Sequence, residues 1–246
     1  MHENLKTMNE RTLKKNKVSQ FLLRIDLEKS AVIDFRNLSE ILADDYGTTQ
    51  TELHVNYCVN INAGQVDKED YIKFVLKSPG VKLTLDSFQK CITIESNKYE
   101  DNSIYKNRIA KIISILTSTN PRLNSERIGL RYINVFPCEK ISDISKILNA
   151  SDAKSVKDSL SHDNIARSIF IQEFQHEDCM SRVQFGVFNK FYPSIIANYD
   201  ITLDIDVYCS GLISIDNWNE FIRRYNHLAY ETFISYIRDK YLESLK

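Results

Sequence analysis

Two arginines four residues apart in Arg127-Ile128-Gly129-Leu130-Arg131-Tyr132-Ile133-Asn134 are the most chemically loaded side chains of this 246-residue chain, together with the carboxylates of Tyr199-Asp200-Ile201-Thr202-Leu203-Asp204-Ile205-Asp206-Val207. Both stretches alternate as half-buried strands do. Ile128, Leu130 and Tyr132 share one face, and Arg127, Gly129 and Arg131 share the other. If the two strands are neighbours, side chains on the same face lie about 5–6 Å apart, within salt-bridge reach. Arg127 and Arg131 would then meet Asp200, Asp204 and Asp206. The expected arrangement is an ionic network that fixes strand register and stabilises weakly where exposed. The sharper reading is a charged groove whose arginines grip a carboxylate or phosphate in bidentate fashion. A divalent ion on Asp204 and Asp206 ranks last, since two such carboxylates are common on solvated strands; no metal centre is expected.

Histidine could add proton transfer. His54 projects from the polar side of a strand, and His227 lies mid-helix beside an aromatic stripe. General acid–base work needs a histidine held near a partner in a cleft, and a structural or surface role is expected for both. They join Arg127, Arg131, Asp204 and Asp206 as the candidate binding set. His176-Glu177-Asp178-Cys179 reads as a hairpin tip, where consecutive residues rarely converge on one ion. No G-x-S-x-G elbow, H-E-x-x-H helix, Walker A loop or G-x-G-x-x-G turn is present. No catalytic residue and no cofactor is expected. A ribonuclease using only His, Tyr and Lys would leave no linear motif, and some of the 13 tyrosines, Tyr208 among them, fall on polar faces where a base could stack.

The elements that must position these residues follow from periodicity. Residues 1–17 are polar with no apolar stripe, and are expected to be a flexible N-terminal segment. Phe21, Leu23, Ile25 and Leu27 mark a strand. Phe35 to Tyr46 reads as a short helix, with Leu38, Ile41 and Leu42 at helical spacing. Leu53, Val55, Tyr57, Val59 and Ile61 are expected to point inward from a second strand, leaving His54, Asn56, Cys58 and Asn60 on its other face. A strand over Asp70–Leu76, a Ser78-Pro79-Gly80 turn and strands at Val81–Leu85 and Ile92–Ile94 follow. Ser103–Ser118 is a long helix ended by Asn120-Pro121. Ile141 to about Leu160 reads as one or two surface helices with a mobile loop. Ile169–Gln175 and Arg182–Phe188 form a hairpin, and Asp216–Leu245 a terminal helix capped by Asp216. The aromatic stripe of that last helix is expected to pack across a sheet.

The fold class expected is α+β: one large, mainly antiparallel sheet with both long helices on one face. Residues 18–246 would form a single domain, and the element order suggests two βββα-like halves, 18–120 and 121–246. Hydrophobic residues at 43% and charged residues at 26% suit an ordinary globular core, and six glycines and four prolines argue against long linkers. A net charge of -1 gives no global pull toward nucleic acid or anionic membrane. Five cysteines, none in a C-x-x-C pair, favour free thiols in a reducing cytoplasm over a zinc site. No apolar run approaches the roughly 18 residues of a membrane span.

The octamer Arg127–Asn134 resembles the hallmark of a sporadically distributed, uncharacterised prokaryotic protein family. The strand pair near Val81–Ile94 leading to Tyr99 and a helix is similar too. So are Leu203-Asp204-Ile205-Asp206-Val207 and a C-terminal helix with His227, Phe233, Ile234, Asp239 and Lys240. The resemblance covers roughly residues 20–246; the proline-containing lead into the family's first strand is missing here. It implies no activity, cofactor or catalytic residue. The family's sporadic distribution resembles that of proteins carried on defence or toxin–antitoxin loci. The expected function is therefore a non-enzymatic binding protein, with a protein partner or a second copy of itself. The alternatives are an RNA-binding protein or metal-independent endoribonuclease using His54 or His227 with the arginines, and a small-molecule or nucleotide sensor.

Overall fold

A computed structural model describes residues 17–60, 65–99 and 103–245. The N-terminal segment expected to be flexible falls almost entirely outside them. Nine antiparallel strands make one sheet: β1 (Val18–Leu27), β2 (Thr48–Asn60), β3 (Gln65–Ser78), β4 (Val81–Asp86), β5 (Cys91–Ser96), β6 (Asn124–Phe136), β7 (Ser168–Gln175), β8 (Met180–Val187) and β9 (Ile201–Ser214). The helices are α1 (Phe35–Leu42), α2 (Ser103–Thr119), α3 (Ile144–Ile147), α4 (Ala150–Leu160), α5 (Trp218–Tyr236) and α6 (Asp239–Leu245).

The strand order is β2-β3-β4-β5-β1-β6-β9-β8-β7. β1 and β6 pair at the centre. From β1 the order runs outward through β5, β4, β3 and β2, and from β6 through β9, β8 and β7. In each half the first strand leads to short helical segments. A meander then starts at the sheet edge and works back to that strand, and a long helix follows. The layout is thus richer than βββα, with one strand held apart from its meander on each side.

Alternation explains the layering. Phe21, Leu23, Ile25 and Leu27 of β1, and Ile128, Leu130 and Tyr132 of β6, face one side with Leu203, Ile205 and Val207 of β9 and are buried. Ile109, Ile112 and Leu116 of α2 and Ile222, Tyr225, Ala229 and Phe233 of α5 belong to the same core. Phe21 stacks on Tyr105 of α2, and the Tyr132 hydroxyl donates to Asn226 Oδ1 of α5 at 2.7 Å. Both long helices therefore cover one face, and the other is left to polar side chains.

Four local expectations are corrected. Leu53, Val55 and Tyr57 are 71%, 41% and 63% exposed. They sit on the helix side of β2, but β4 pairs β3 only over Lys73–Ser78, so the outer part of the β2–β3 hairpin projects beyond the covered sheet. Val59 and Ile61 lie outside the described side chains. The 141–160 stretch is no surface appendage: Ile144, Leu148 and Val156 are fully buried. The terminal helix breaks at Ile237, which turns extended (φ -97°, ψ 138°) and forms an isolated bridge with Leu148, while Arg238 N donates to Ile147 O at 2.8 Å. Helical periodicity continues through Ile237, but a tertiary strand contact captures its backbone. Asp216 lies in a 3-10 turn ahead of α5, whose N-cap is Asn217.

Candidate functional site

The uncovered sheet face gathers the charged residues into rows across the strands. One row runs Glu173, Arg182, Asp206, Arg131, Leu22, Glu95, Lys82, each directly opposite the next on its neighbouring strand. The sign alternates at nearly every step. A parallel row holds Arg127, Asp26, Cys91, Asp86, Lys73 and Glu52.

The strongest contact crosses a diagonal. Arg131 faces Asp206 in register but turns to Asp204, donating from Nε to Oδ1 at 2.8 Å and from Nη2 to Oδ2 at 2.5 Å. This is the bidentate fork that guanidinium geometry favours. The Asp204 side chain is 3% exposed and that of Arg131 39%, so the aspartate is the buried partner. Hydrogen bonding to Asp204 raises the Arg131 pKa further. Arg127 lies along β6, with its guanidinium 4.1 Å from the centre of the Tyr208 ring, and donates to Asp206 at 3.2 Å.

Gly129 makes room for the Tyr208 side chain on which that arginine lies. A Cβ there would lie 3.1 Å from Tyr208 Cβ and 3.7 Å from Arg127 Nε. Gly129→Val is expected to lift Arg127 off the ring and cost about 1–3 kcal/mol by overpacking, read as a lower urea midpoint. An unchanged midpoint would show that the ring and guanidinium shift aside freely. The rest of the octamer is structural: Asn134, 3% exposed, donates from Nδ2 to Leu203 O at 3.1 Å and so ties β6 to β9.

Burial pushes the Asp206 carboxyl above its usual range, more than Arg127 and Arg131 draw it down, and the Asp204 charge pushes the same way as burial. A carboxyl raised in the folded state contributes stability that is full below its unfolded pKa and lost as pH rises through the folded value. Asp206→Asn, which cannot ionise, is therefore expected to be at least as stable as the native chain at pH 7. That advantage should disappear below about pH 4. Urea unfolding of both chains at the two pH values measures it, and a less stable variant at pH 7 would mean that pairing outweighs burial.

The structure brings Arg127, Arg131, Asp204 and Asp206 together, as their alternation suggests, and leaves Asp200 out. Asp200 precedes β9 and accepts from the Cys138 amide at 3.0 Å. His54 is on the same face but five strands away, about 24 Å at roughly 4.8 Å per strand. There it stacks on Tyr71 (ring centres 5.2 Å apart), with Nε2 3.2 Å from Glu52, beside a depression of about 280 Å³. Lys73 and Lys82 in that depression are already paired with Asp86 (2.9 Å) and Glu95 (3.0 Å). His227 lies in the helix layer, half exposed, 3.2 Å from Glu231 one turn on. No single site can include either histidine and the arginines.

No protein-family model, curated protein or solved structure matches the chain.

Arg182 is the residue that sequence reasoning missed. It stands opposite Asp206 on one side and Glu173 on the other, yet its nearest carboxylate is Glu173 at 3.6 Å, too far for a hydrogen bond. Its Nε is covered and has no hydrogen-bond partner among the described residues. The available signal was alternation in Ser181-Arg182-Val183, which sets the arginine on the polar face. Ile171, 53% exposed, lies on that face too, opposite Gln184. Among the described residues no His, Cys, Asp and Glu side chains cluster as a metal site would require, and Cys91, Cys138, Cys179 and Cys209 are buried free thiols.

Proposed function

We propose that the chain is a non-enzymatic binding protein that recognises a protein partner through the uncovered sheet face, around Arg182, Glu173 and Ile171. The observation that carries this reading is the alternation of charge across that face. Arg24–Asp26, Lys73–Asp86, Lys82–Glu95, Arg127–Asp206, Arg131–Asp204 and Arg182–Glu173 are all opposite-charge pairs within 4 Å. A nucleic-acid site needs a surplus of cations along a track, which these pairs do not leave. A mixed-charge surface with an exposed apolar side chain suits a protein interface with its polar rim. Arg182, whose carboxylate contact is the longest among the paired arginines of that face, is the group best placed to turn toward a partner carboxylate. The resemblance of the Arg127–Asn134 octamer supports a prokaryotic defence or toxin–antitoxin setting in the cytoplasm. No helix among the described residues is long and apolar enough to cross a membrane.

The test is affinity purification of the tagged chain from its native host beside an Arg182→Glu variant, with mass spectrometry of retained protein and nucleic acid. A protein held by the native chain and lost from the variant supports the reading. Retained RNA would favour the nucleic-acid alternative, and recovery of neither would remove both.

A further inference from the structure

β2 is an outermost strand, and among the described residues β3 is its one ladder partner. It is 13 residues long, Thr48-Thr-Gln-Thr-Glu-Leu-His-Val-Asn-Tyr-Cys-Val-Asn60, with no Pro, Lys or Arg. Its register with β3 runs from end to end without a bulge. Charged lysines, prolines, bulges and short length are what proteins use to keep an edge strand from pairing, and β2 has none of them. The opposite edge differs: β7 is 8 residues long, and Ser159 of α4 hydrogen-bonds Ser168 at its start.

We propose that β2 pairs antiparallel with β2 of a second copy about a two-fold axis at Leu53, joining two nine-stranded sheets into one. The strand is self-complementary in that register. Leu53 meets Leu53, Thr51 meets Val55, and Thr49 meets Tyr57, all on the face where Leu53, Val55 and Tyr57 are exposed. On the other face Glu52 meets His54 of the second copy twice, and Gln50 meets Asn56. Within one strand Glu52 and His54 are already 3.2 Å apart, so pairing builds a four-membered row of acid and base. An axis at Val55 or Tyr57 would leave Glu52 without a base opposite, and an axis at Glu52 would set the two carboxylates against each other. The exposed apolar side chains thereby gain cover, and the open backbone groups gain partners. The edge lies far from Arg182, so this pairing stands apart from the partner proposed above.

Sedimentation velocity of the full chain over a range of concentrations tests it, with a species of twice the chain mass expected to accumulate. Leu53→Lys sets two ammonium groups face to face at an exposed position, and is expected to raise the dimer dissociation constant by about tenfold or more while circular dichroism stays native. His54→Glu places carboxylates opposite Glu52 and weakens the dimer, and adding Glu52→Lys restores it. A chain that stays monomeric throughout overturns the proposal. So does a dimer indifferent to Leu53→Lys, or a charge swap that rescues nothing. A monomer whose β2 amides resist hydrogen exchange would assign the edge to another segment of the same chain, and overturns it equally.

Discussion

Arg131→Ala is expected to destabilise the fold by about 3 kcal/mol, near the lower end of what losing one partner of a buried ion pair costs. The asymmetry of the pair sets that figure. Asp204 is almost wholly buried, whereas Arg131 keeps more than a third of its side chain in water. Removing the arginine strands a carboxylate that cannot reach solvent. Removing the aspartate frees a guanidinium that can turn outward, so Asp204→Ala should cost less, about 1–2 kcal/mol. The double variant should then be more stable than the sum of the two predicts, by about 1–3 kcal/mol. Urea unfolding of the four chains completes the cycle. Simple additivity, or a larger loss for Asp204→Ala, would mean that the bidentate contact does not hold the aspartate.

A second large effect is expected at Gly186. Its φ of +135° lies where side chains other than glycine's are strained, and a Cβ added there would fall 2.2 Å from the Ser168 carbonyl oxygen and 3.1 Å from its carbon. The obstacle is backbone, so no rotamer change relieves it. Gly186→Ala must either unwind the β7–β8 ladder at its Ser168 end or distort β8 beside β9. Strained backbone costs about 1–3 kcal/mol and forced overpacking about as much again, so a loss of about 3 kcal/mol or more is expected. Equilibrium unfolding measures the loss, and faster amide exchange in β7 would locate it. A change under about 1 kcal/mol would show that the edge strand yields without penalty.

The central strands were legible because each buries one face over most of its length. In β1, β6 and β9 the period of two matches what the helices cover, so alternation named both the core side and the charged side. The same alternation misleads at β2. Leu53, Val55 and Tyr57 carry the pattern of a buried face, but no local signal says that the sheet outruns its helices there. The 141–160 stretch misled the other way: its Ser, Lys and Asp residues outnumber the few apolar ones that dock, and Val156 and Leu148 are buried through contacts remote in sequence. The break at Ile237 is also tertiary, since its bridge to Leu148 could not be read from either segment alone. Of the candidate cluster, Arg127, Arg131, Asp204 and Asp206 stood out because two strands repeat one charge sign. Arg182 did not, being a lone cation in a hairpin whose importance depends on which strand lies beside it.

The seam between the halves also bears on how the chain comes to be made. β1 emerges before β5 and β6 during translation, and β5 can cover one of its edges as soon as the first meander is complete. Its other edge waits for β6: Ser19, for instance, hydrogen-bonds the carbonyl of Ile133, 114 residues later. Until then the nascent protein presents the ladder of Phe21–Leu27, with the apolar side chains of Phe21, Leu23, Ile25 and Leu27 on one face, to whatever is nearby. The arginine octamer is thus also the segment whose arrival ends that exposure. A ribosome stalled beyond α2 but before residue 136 would hold a half-sheet open along the strand where a foreign β-edge could most readily add.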